Sequence, residues 1–408
     1  MEVDSQEEYN KRRPVMCKFP YSGVTINPDG HFVPCCNAPH VNLGHLSKVE
    51  SLKKFINSDE QGMLRDKFNK SEWPSACRVC KTRREEGKPA LMDHMADKYI
   101  DWSDKNFIAD NYDVKYLEFT PSNACNASCS TCGSKFSSKW VTLDQEAVRQ
   151  GLEYRNPTWE SRATGTNYSM SEQDYEKILE VIPTVKFLML KGGEPLADKR
   201  NIKLLEKIRD EKIDCKVNMI TNLSMMNDKI LDLMKAIPQF HMSVSMDGLY
   251  EQYNWIRSTD FDNVVGKLNK WYMATGKAVN VLTTMSIYNF FNMEEQIKYF
   301  TRMESVSMMK LLLTAHPTYI TPHMIPQHMI DELNTKHAQS IWCTKHPKLE
   351  RNKNLLNFTS WETTSPDRFK ENKSRVLSWM NFVNKQRGFN IEDHVPELNK
   401  VKTYYEKF

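Results

Sequence analysis

The sequence predicts an α/β fold organised around a parallel sheet, on two observations. Apolar, β-branched runs alternate with helix-period segments through the middle of the chain, and each run is followed by a helix or a loop. The strand-like runs are Val114–Phe119, Val185–Leu190, Lys216–Ile220, Phe240–Ser245, Val279–Ile287 and Val306–Leu313. The helical patterns are Glu172–Ile182, Ile202–Arg209, Asp228–Ile237, Asp262–Ala274 and Met293–Met303. In the second of these, Ile202, Leu204, Leu205 and Ile208 fall near helical spacing, and Ile230, Leu231, Leu233 and Met234 repeat the pattern. Strands joined through helices pair in parallel by right-handed crossovers. An open sheet of six strands curling into a partial barrel satisfies this order, and so does a flat doubly wound sheet.

The flanks read differently. In residues 1–110 the turn signals Tyr21-Ser22-Gly23 and Asn27-Pro28-Asp29-Gly30 separate short extended runs, followed by a helical pattern over Val49–Asn69. Little there suggests a large core of its own, so a metal cluster is the expected staple. Residues 314–408 hold a helical stretch (Ile325–Ile341), a polar region rich in Asn, Lys and Thr, and a second helix around Arg375–Lys385. The expected division is therefore 1–110, 111–313 and 314–408.

The chain has 408 residues, 40% hydrophobic and 26% charged, with a formal charge of +4, which supplies a core and argues against nucleic acid as a partner. The opening MEVDSQEEYNKRRP is charged and lacks an apolar signal region, and no run approaches the roughly 18 apolar residues of a membrane span. A soluble, cytoplasmic protein is expected. Ten cysteines in such a chain point to metal or catalysis rather than disulfides. Eight of them, at positions 17, 35, 36, 77, 80, 125, 129 and 132, crowd into the first third, in two groups.

The first group, Cys125-Asn-Ala-Ser-Cys129-Ser-Thr-Cys132, follows the first strand. Three thiolates at this spacing can hold one face of a four-iron cluster, which normally takes four, so one iron is left open for chemistry. A zinc site with a distant fourth ligand fits the spacing too, as do three incidental thiols. Cys-x3-Cys-x2-Cys after the first strand of a βα barrel resembles the signature of the radical S-adenosylmethionine (SAM) superfamily. The resemblance implies a TIM-like partial (β/α)6 barrel, with a small auxiliary domain before it and a helical extension after it. It also implies a [4Fe–4S] cluster whose open iron binds the amino and carboxylate groups of SAM and whose electron cleaves the sulfonium. Thr131 stands where members often carry an aromatic residue, a departure that touches adenine packing rather than the cluster.

Further matches follow in chain order. Lys191-Gly192-Gly193-Glu194-Pro195 resembles the Gly-Gly-Glu motif, in which the glycines allow close backbone approach and Glu194 would accept from the SAM ammonium. Thr221-Asn222 resembles the Thr-Asn-Gly turn, with Leu223 in place of glycine. Ser243-Val-Ser245-Met-Asp247-Gly248 and the downstream Arg257 resemble the pattern of the subgroup with extra clusters. That match would give Ser245 the ribose or carboxylate and Arg257 the carboxylate clamp.

In the second group, Cys17, twelve residues, Gly30, four residues and Cys35 are followed by Cys77-Arg-Val-Cys80. This resembles part of the auxiliary-cluster module called SPASM, or the shorter twitch domain, here placed before the barrel instead of after it. The resemblance implies a second iron–sulfur cluster on Cys17, Cys35, Cys77 and Cys80, acting as electron relay or as tuner of the substrate site, with Cys36 spare. A zinc ribbon tolerates the same spacing. Cys215 and Cys343 read as core thiols, the methionines as core filling, and His316, His323 and His328 as loop histidines.

The expected function is reductive cleavage of SAM to a 5′-deoxyadenosyl radical that abstracts hydrogen from a substrate. By family analogy the substrate is a peptide or protein side chain, and the electron comes from a partner such as flavodoxin or ferredoxin. Radical rearrangement of a nucleotide-like small molecule is the alternative within enzymes. A non-catalytic zinc-binding interaction protein is the alternative outside them.

Overall fold

The computed structural model describes residues 15, 17–87, 90, 111–152, 167–314, 317–349 and 356–407. Its centre is an eight-stranded sheet: β1 (Gly23–Ile26), β2 (Phe32–Val33), β3 (Tyr116–Phe119), β4 (Phe187–Leu190), β5 (Lys216–Thr221), β6 (Phe240–Ser245), β7 (Val279–Met285) and β8 (Val306–Leu313). β3 to β8 are the six expected strands. They are all parallel and lie side by side in chain order. A doubly wound sheet must reverse its strand order at a switch point. This sheet never reverses, so of the two sequence-compatible architectures it is the partial barrel.

Helices fill the crossovers as the apolar spacing requires: Glu172–Val181, Lys199–Asp210, Asp228–Lys235, Phe261–Thr275 and Met293–Arg302. Alternation along the strands assigns the two faces. Val217, Met219 and Thr221 of β5 are buried on the helix side, whereas Lys216, Asn218 and Ile220 are half-buried on the other. β7 repeats this, with Asn280, Leu282 and Thr284 half-buried. The inner face of the barrel is therefore open.

The N-terminal segment departs from expectation. β1 pairs in parallel with β3, Gly23 opposite Tyr116 and Ile26 opposite Phe119, and carries β2 antiparallel on its far side. Val24, Ile26, Phe32, Leu46, Leu52, Phe55 and Ile56 join the main hydrophobic core, so the segment borrows the barrel's core rather than relying on a staple alone. The single helix expected over Val49–Asn69 is two, Leu52–Ile56 and Asp59–Asn69. Asn57 ends the first, and Ser58 takes the extended conformation that starts the second.

In the C-terminal part, the helix Gln327–Gln339 begins right after Pro326. The helix Pro366–Arg387 is far longer than the expected Arg375–Lys385. It starts on a proline in its first turn and stops at Gly388, whose φ of 77° suits a residue without Cβ. His316, the opening MEVDSQEEYNKRRP and most of the polar region lie outside the described residues. His323 stacks on Trp361 and His328 lies against Tyr404, so the two serve packing. Among the described residues no helix is long and apolar enough to cross a membrane.

Candidate functional site

β3 ends at Phe119 and hands the chain to a loop whose backbone is tied down at nearly every step. Asn123 Nδ2 donates to the Ser134 carbonyl (2.8 Å), and the Ser138 amide donates to the Asn123 carbonyl (2.7 Å). The Cys125 amide donates to Ser138 Oγ (3.2 Å), and Ser137 Oγ donates to the Ala127 carbonyl (2.6 Å). The Ser128 amide donates to Ser258 Oγ (2.6 Å), and the Ser130 amide to the Ile256 carbonyl (2.7 Å). Trp140 Nε1 donates to the Cys129 carbonyl (2.9 Å). The loop carrying Cys125, Cys129 and Cys132 is thus fixed by its backbone, leaving the sulfurs to other partners.

Glycine is required at two positions beside it. A Cβ on Gly192 (φ 79°) would run into the Thr120 side chain, and one on Gly193 (φ 45°) into the Ala124 carbonyl oxygen. Glu194 is buried, and its amide donates to that same Ala124 carbonyl (2.8 Å). Its carboxylate accepts from Thr221 Oγ1 (2.6 Å), the Asn222 amide (2.7 Å) and the Leu196 amide (3.1 Å), so it clamps the end of β4 to the end of β5. Burial raises the Glu194 carboxyl above its ordinary range, against the pull of those hydrogen bonds. Asn222 Nδ2 donates to Asn126 Oδ1 (3.0 Å), and Asn126 Nδ2 donates to Ser224 Oγ (2.8 Å), tying the β5 turn to the cysteine loop. Leu223 keeps a left-handed φ of 61°, the conformation a glycine would supply, while its side chain is buried in the core.

Ser245 closes β6 half-buried on the inner face. Arg257 ends the helix Tyr250–Arg257, and its Nη1 pairs with buried Asp247 Oδ2 at 3.0 Å. The Arg257 carbonyl oxygen lies 3.4 Å from Cys129 Sγ. Asp247 also accepts from the Thr284 amide (2.7 Å), which locks β7 into the same corner. Arg257 Nε is buried without a hydrogen-bond partner. Gly192, Gly193, Glu194, Asn222 and Arg257 are therefore gathered around the cysteine loop.

The charges suit a cationic occupant. Burial pushes the Cys125 thiol up to about 11, and neighbouring Cys129 adds to the rise. Burial raises Cys129 as well, opposed by the guanidinium groups of Arg257 and Arg387. Buried thiols ionise readily only against positive charge. Among the described residues no three ligating side chains are grouped closely enough for a single metal ion, so the three sulfurs on this tied loop suit a larger iron–sulfur cluster.

The second group converges on one small cavity, lined by Cys17, Cys35, Cys77 and Cys80 with Phe19, Phe68 and Trp73 among its walls. Cys77 caps the start of the helix Arg78–Glu85, and Cys80 lies in its first turn. Burial pushes Cys77 up to about 12, with the neighbouring Cys80 adding to it, and burial followed by Cys17 raises Cys35. Cys36 is not part of the lining. Its thiol is pushed up to about 11 by burial and then by the Glu118 carboxylate, against the opposing charge of Lys191. Glu118 lies on the inner side of β3, accepts from Tyr116 Oη (2.7 Å) and forms an ion pair with Lys191. Sequence reasoning passed over Asn126, Ser224 and Glu118, which carry no spacing signature. Cys215 is buried in the main core as expected, and Cys343 packs half-buried against that core.

With this geometry in hand, comparison with known proteins identifies the class. Residues 119–300 match the family described as the radical SAM superfamily, and residues 17–81 match the iron–sulfur cluster-binding domain SPASM. The chain carries a radical SAM domain, preceded by a SPASM domain on its N-terminal side. The radical SAM domain implies a [4Fe–4S] cluster and SAM, and the SPASM domain implies auxiliary iron–sulfur ligation. No curated protein matches the chain. Among solved structures it is similar to anSMEcpe with bound AdoMet, at 16% identity over 53% of this chain and 57% of that one, TM-score 0.37. It is also similar to Streptococcus suis SuiB, at 12% identity over 67% of this chain and 60% of that one, TM-score 0.37. SuiB bound to its precursor peptide SuiA matches at 12% identity over 59% of this chain and 53% of that one, TM-score 0.35. The chain thus spans between half and three fifths of these proteins.

Proposed function

We propose that the chain is a peptide-modifying radical SAM enzyme. In this reading residues 111–313 form its reactive barrel, 1–110 its auxiliary-cluster domain and 314–408 a helical extension. Cys125, Cys129 and Cys132 would hold the reactive cluster, and Cys17, Cys35, Cys77 and Cys80 the auxiliary one. Bound there, a four-iron cluster with one open iron supplies the electron that cleaves SAM to a 5′-deoxyadenosyl radical.

The observation that carries the reading is the immobilised triad loop, beside a turn where a Cβ at Gly192 or Gly193 would collide. Gly192 and Gly193 keep the ligand-facing backbone bare, Glu194 and Asn222 hold that turn against the loop, and Ser245 offers a hydroxyl from the next strand but one. Arg257, steadied by Asp247, brings positive charge to Cys129 and a spare Nε donor. The open inner face between the two thiol groups offers space for a substrate, with Glu118 and Lys191 in its wall. The peptide reading is favoured by the C-terminal end of β8, last in the sheet order, where Leu312 and Leu313 are exposed beyond the Met309–Leu349 bridge. An extended segment can add to such an edge.

The test is anaerobic reconstitution followed by SAM and dithionite, with 5′-deoxyadenosine measured by chromatography. The wild-type chain should form it, and the Cys125→Ala, Cys129→Ala, Cys132→Ala triple variant should not while keeping its N-terminal cluster. Persistent cleavage in the triple variant would overturn the assignment. Cys77→Ala should keep some uncoupled cleavage yet leave a co-expressed peptide unmodified by mass spectrometry.

A further inference from the structure

The helix Pro366–Arg387, whose sequence matched no chemistry, reaches back to the cysteine loop. Trp379 Nε1 donates to the Ser130 carbonyl (3.2 Å), and its ring stacks on Trp140 with centroids 5.1 Å apart, the same Trp140 that holds the Cys129 carbonyl. Arg387, the last residue of the helix, donates through Nη1 to Ser128 Oγ (3.2 Å), through Nη2 to the Ser128 carbonyl and through Nε to the Trp255 carbonyl (2.9 Å). Asn384 Oδ1 accepts from Trp255 Nε1 (2.8 Å), fixing the helix against the segment that ends in Arg257. Ser128 and Ser130 are the two residues flanking Cys129. Both of their carbonyls are therefore held by donors some 250 residues further along the chain, at separations of 259 and 249.

The oxygens that accept from Arg387, on Ser128 and Trp255, are all uncharged, so no carboxylate neutralises the guanidinium through these bonds. It lies close enough to Cys129 for its charge to act on that sulfur. Burial lowers its pKa to about 10, which leaves it protonated at neutral pH. Three thiolates give a cluster net negative charge, and reduction adds one more. A fixed cation behind one ligand favours that step, while a guanidinium fork aimed at loop carbonyls sets the ligand's position.

We infer that Arg387 is a positioning residue of the radical-generating site, holding the Cys129 segment in place and raising the reduction potential of the cluster bound there. The inference rests on the proposed cluster on Cys125, Cys129 and Cys132. It makes the C-terminal extension a working part of that site.

The experiment is a reductive titration followed by electron paramagnetic resonance, on full-length wild type, Arg387→Gln and Arg387→Lys. The signal that responds to added SAM marks the cluster of interest. Arg387→Gln should retain iron, while its reduced-to-oxidised ratio at fixed poise falls about threefold to tenfold. At 59 mV per tenfold for one electron, that is a potential about 30–60 mV lower. Arg387→Lys keeps the charge but loses the fork, so it should stay near the wild-type potential. Equal potentials in all three proteins would overturn the inference, and so would equal shifts in both variants. If Arg387→Gln fails to hold iron, the lysine variant decides alone: wild-type potential with full iron upholds the inference, and a lowered potential sinks it. A wild-type chain with no SAM-responsive signal would instead refute the proposed triad cluster.

Discussion

Replacing Cys35 by serine should empty the N-terminal cluster site, whereas the same change at the adjacent Cys36 should leave it full. The two thiols are adjacent after β2, but the chain turns there, the Ala38 amide donating to the Cys35 carbonyl (3.0 Å), with Cys36 inside the turn. Cys35 lines the cavity shared with Cys17, Cys77 and Cys80, whereas Cys36 is absent from that lining, and the charges of Glu118 and Lys191 act on its thiol. A cube held by four sulfurs loses a quarter of its protein ligands when one becomes a hydroxyl. Hydroxyl oxygen is a poor ligand for this iron. The triad cluster alone accounts for about four irons per chain, so any wild-type iron above that belongs to the N-terminal site. Cys35→Ser should fall to about four, and Cys36→Ser should match wild type. Cys36→Ser exchanges one half-buried polarisable group for a smaller one, a cost of about 1 kcal/mol. The assay is iron and sulfide quantification on anaerobically reconstituted protein, with Mössbauer spectra to count cluster types. Should Cys36→Ser lose the iron and Cys35→Ser keep it, the ligand assignment is wrong. The cavity would then have to rearrange around its occupant.

Gly193→Ala should weaken SAM binding at least tenfold, because the new methyl would overlap the Ala124 carbonyl beside Cys125 and φ is already 45°; anaerobic equilibrium dialysis with labelled SAM measures it. At Leu223 the usual order of substitutions should invert. Leu223→Ala opens a core cavity costing about 2–5 kcal/mol, whereas Leu223→Gly pays nearly the same but relieves about 1 kcal/mol of left-handed strain. The glycine variant should therefore melt no lower than the alanine variant, and a clearly lower melting temperature would refute the strain. His337 is buried against Phe290, and burial lowers its pKa below the ordinary 6.5. A depressed pKa contributes stability that is present above about 6.5 and lost as pH falls through the folded-state value. His337→Leu should flatten that acid limb in tryptophan-monitored unfolding of apo protein, and an unchanged limb would assign it elsewhere.

The parts of the molecule legible in the sequence are those encoded locally. Six strands and five helices came from apolar spacing a few residues long. The triad came from three cysteines within eight residues, and the glycine pair from its place after the second strand. What stayed hidden depends on pairing across the chain. Nothing in Gly23–Ile26 says that it adds to Tyr116–Phe119 in parallel, since two buried apolar residues, Val24 and Ile26, fit many registers. Trp379 and Arg387 are one tryptophan of nine and one cation of 56, and no spacing rule connects them to Ser130 and Ser128. At Leu223 the missing glycine was visible, but not that the left-handed turn survives without it. Core burial of the leucine holds a conformation that the residue type disfavours.

The parallel register of β1 on β3 has a consequence for electron and substrate traffic. β3 delivers the chain to Cys125 at its C-terminal end. Cys17 precedes β1, and Cys35 follows the antiparallel β2, so both lie toward the other end of the strands, packed on Phe19, Tyr116 and Phe187. The two thiol groups are thus separated by the length of a four-residue strand or more, roughly 13 Å at about 3.3 Å per residue. Leu117 and Phe119 face the helix-side core, while Tyr116 and Glu118 face inward, where Lys191 meets Glu118. A substrate held between the groups would touch that column of side chains. Slipping β1 by one residue would turn Thr25 from Glu118's side to the core's and swing both Cys17 and Cys35 off the barrel axis. The register of four residue pairs therefore sets the position of one thiol group relative to the other. A proline at Val24, which cannot donate to the ladder, should disturb the auxiliary site before it disturbs the triad.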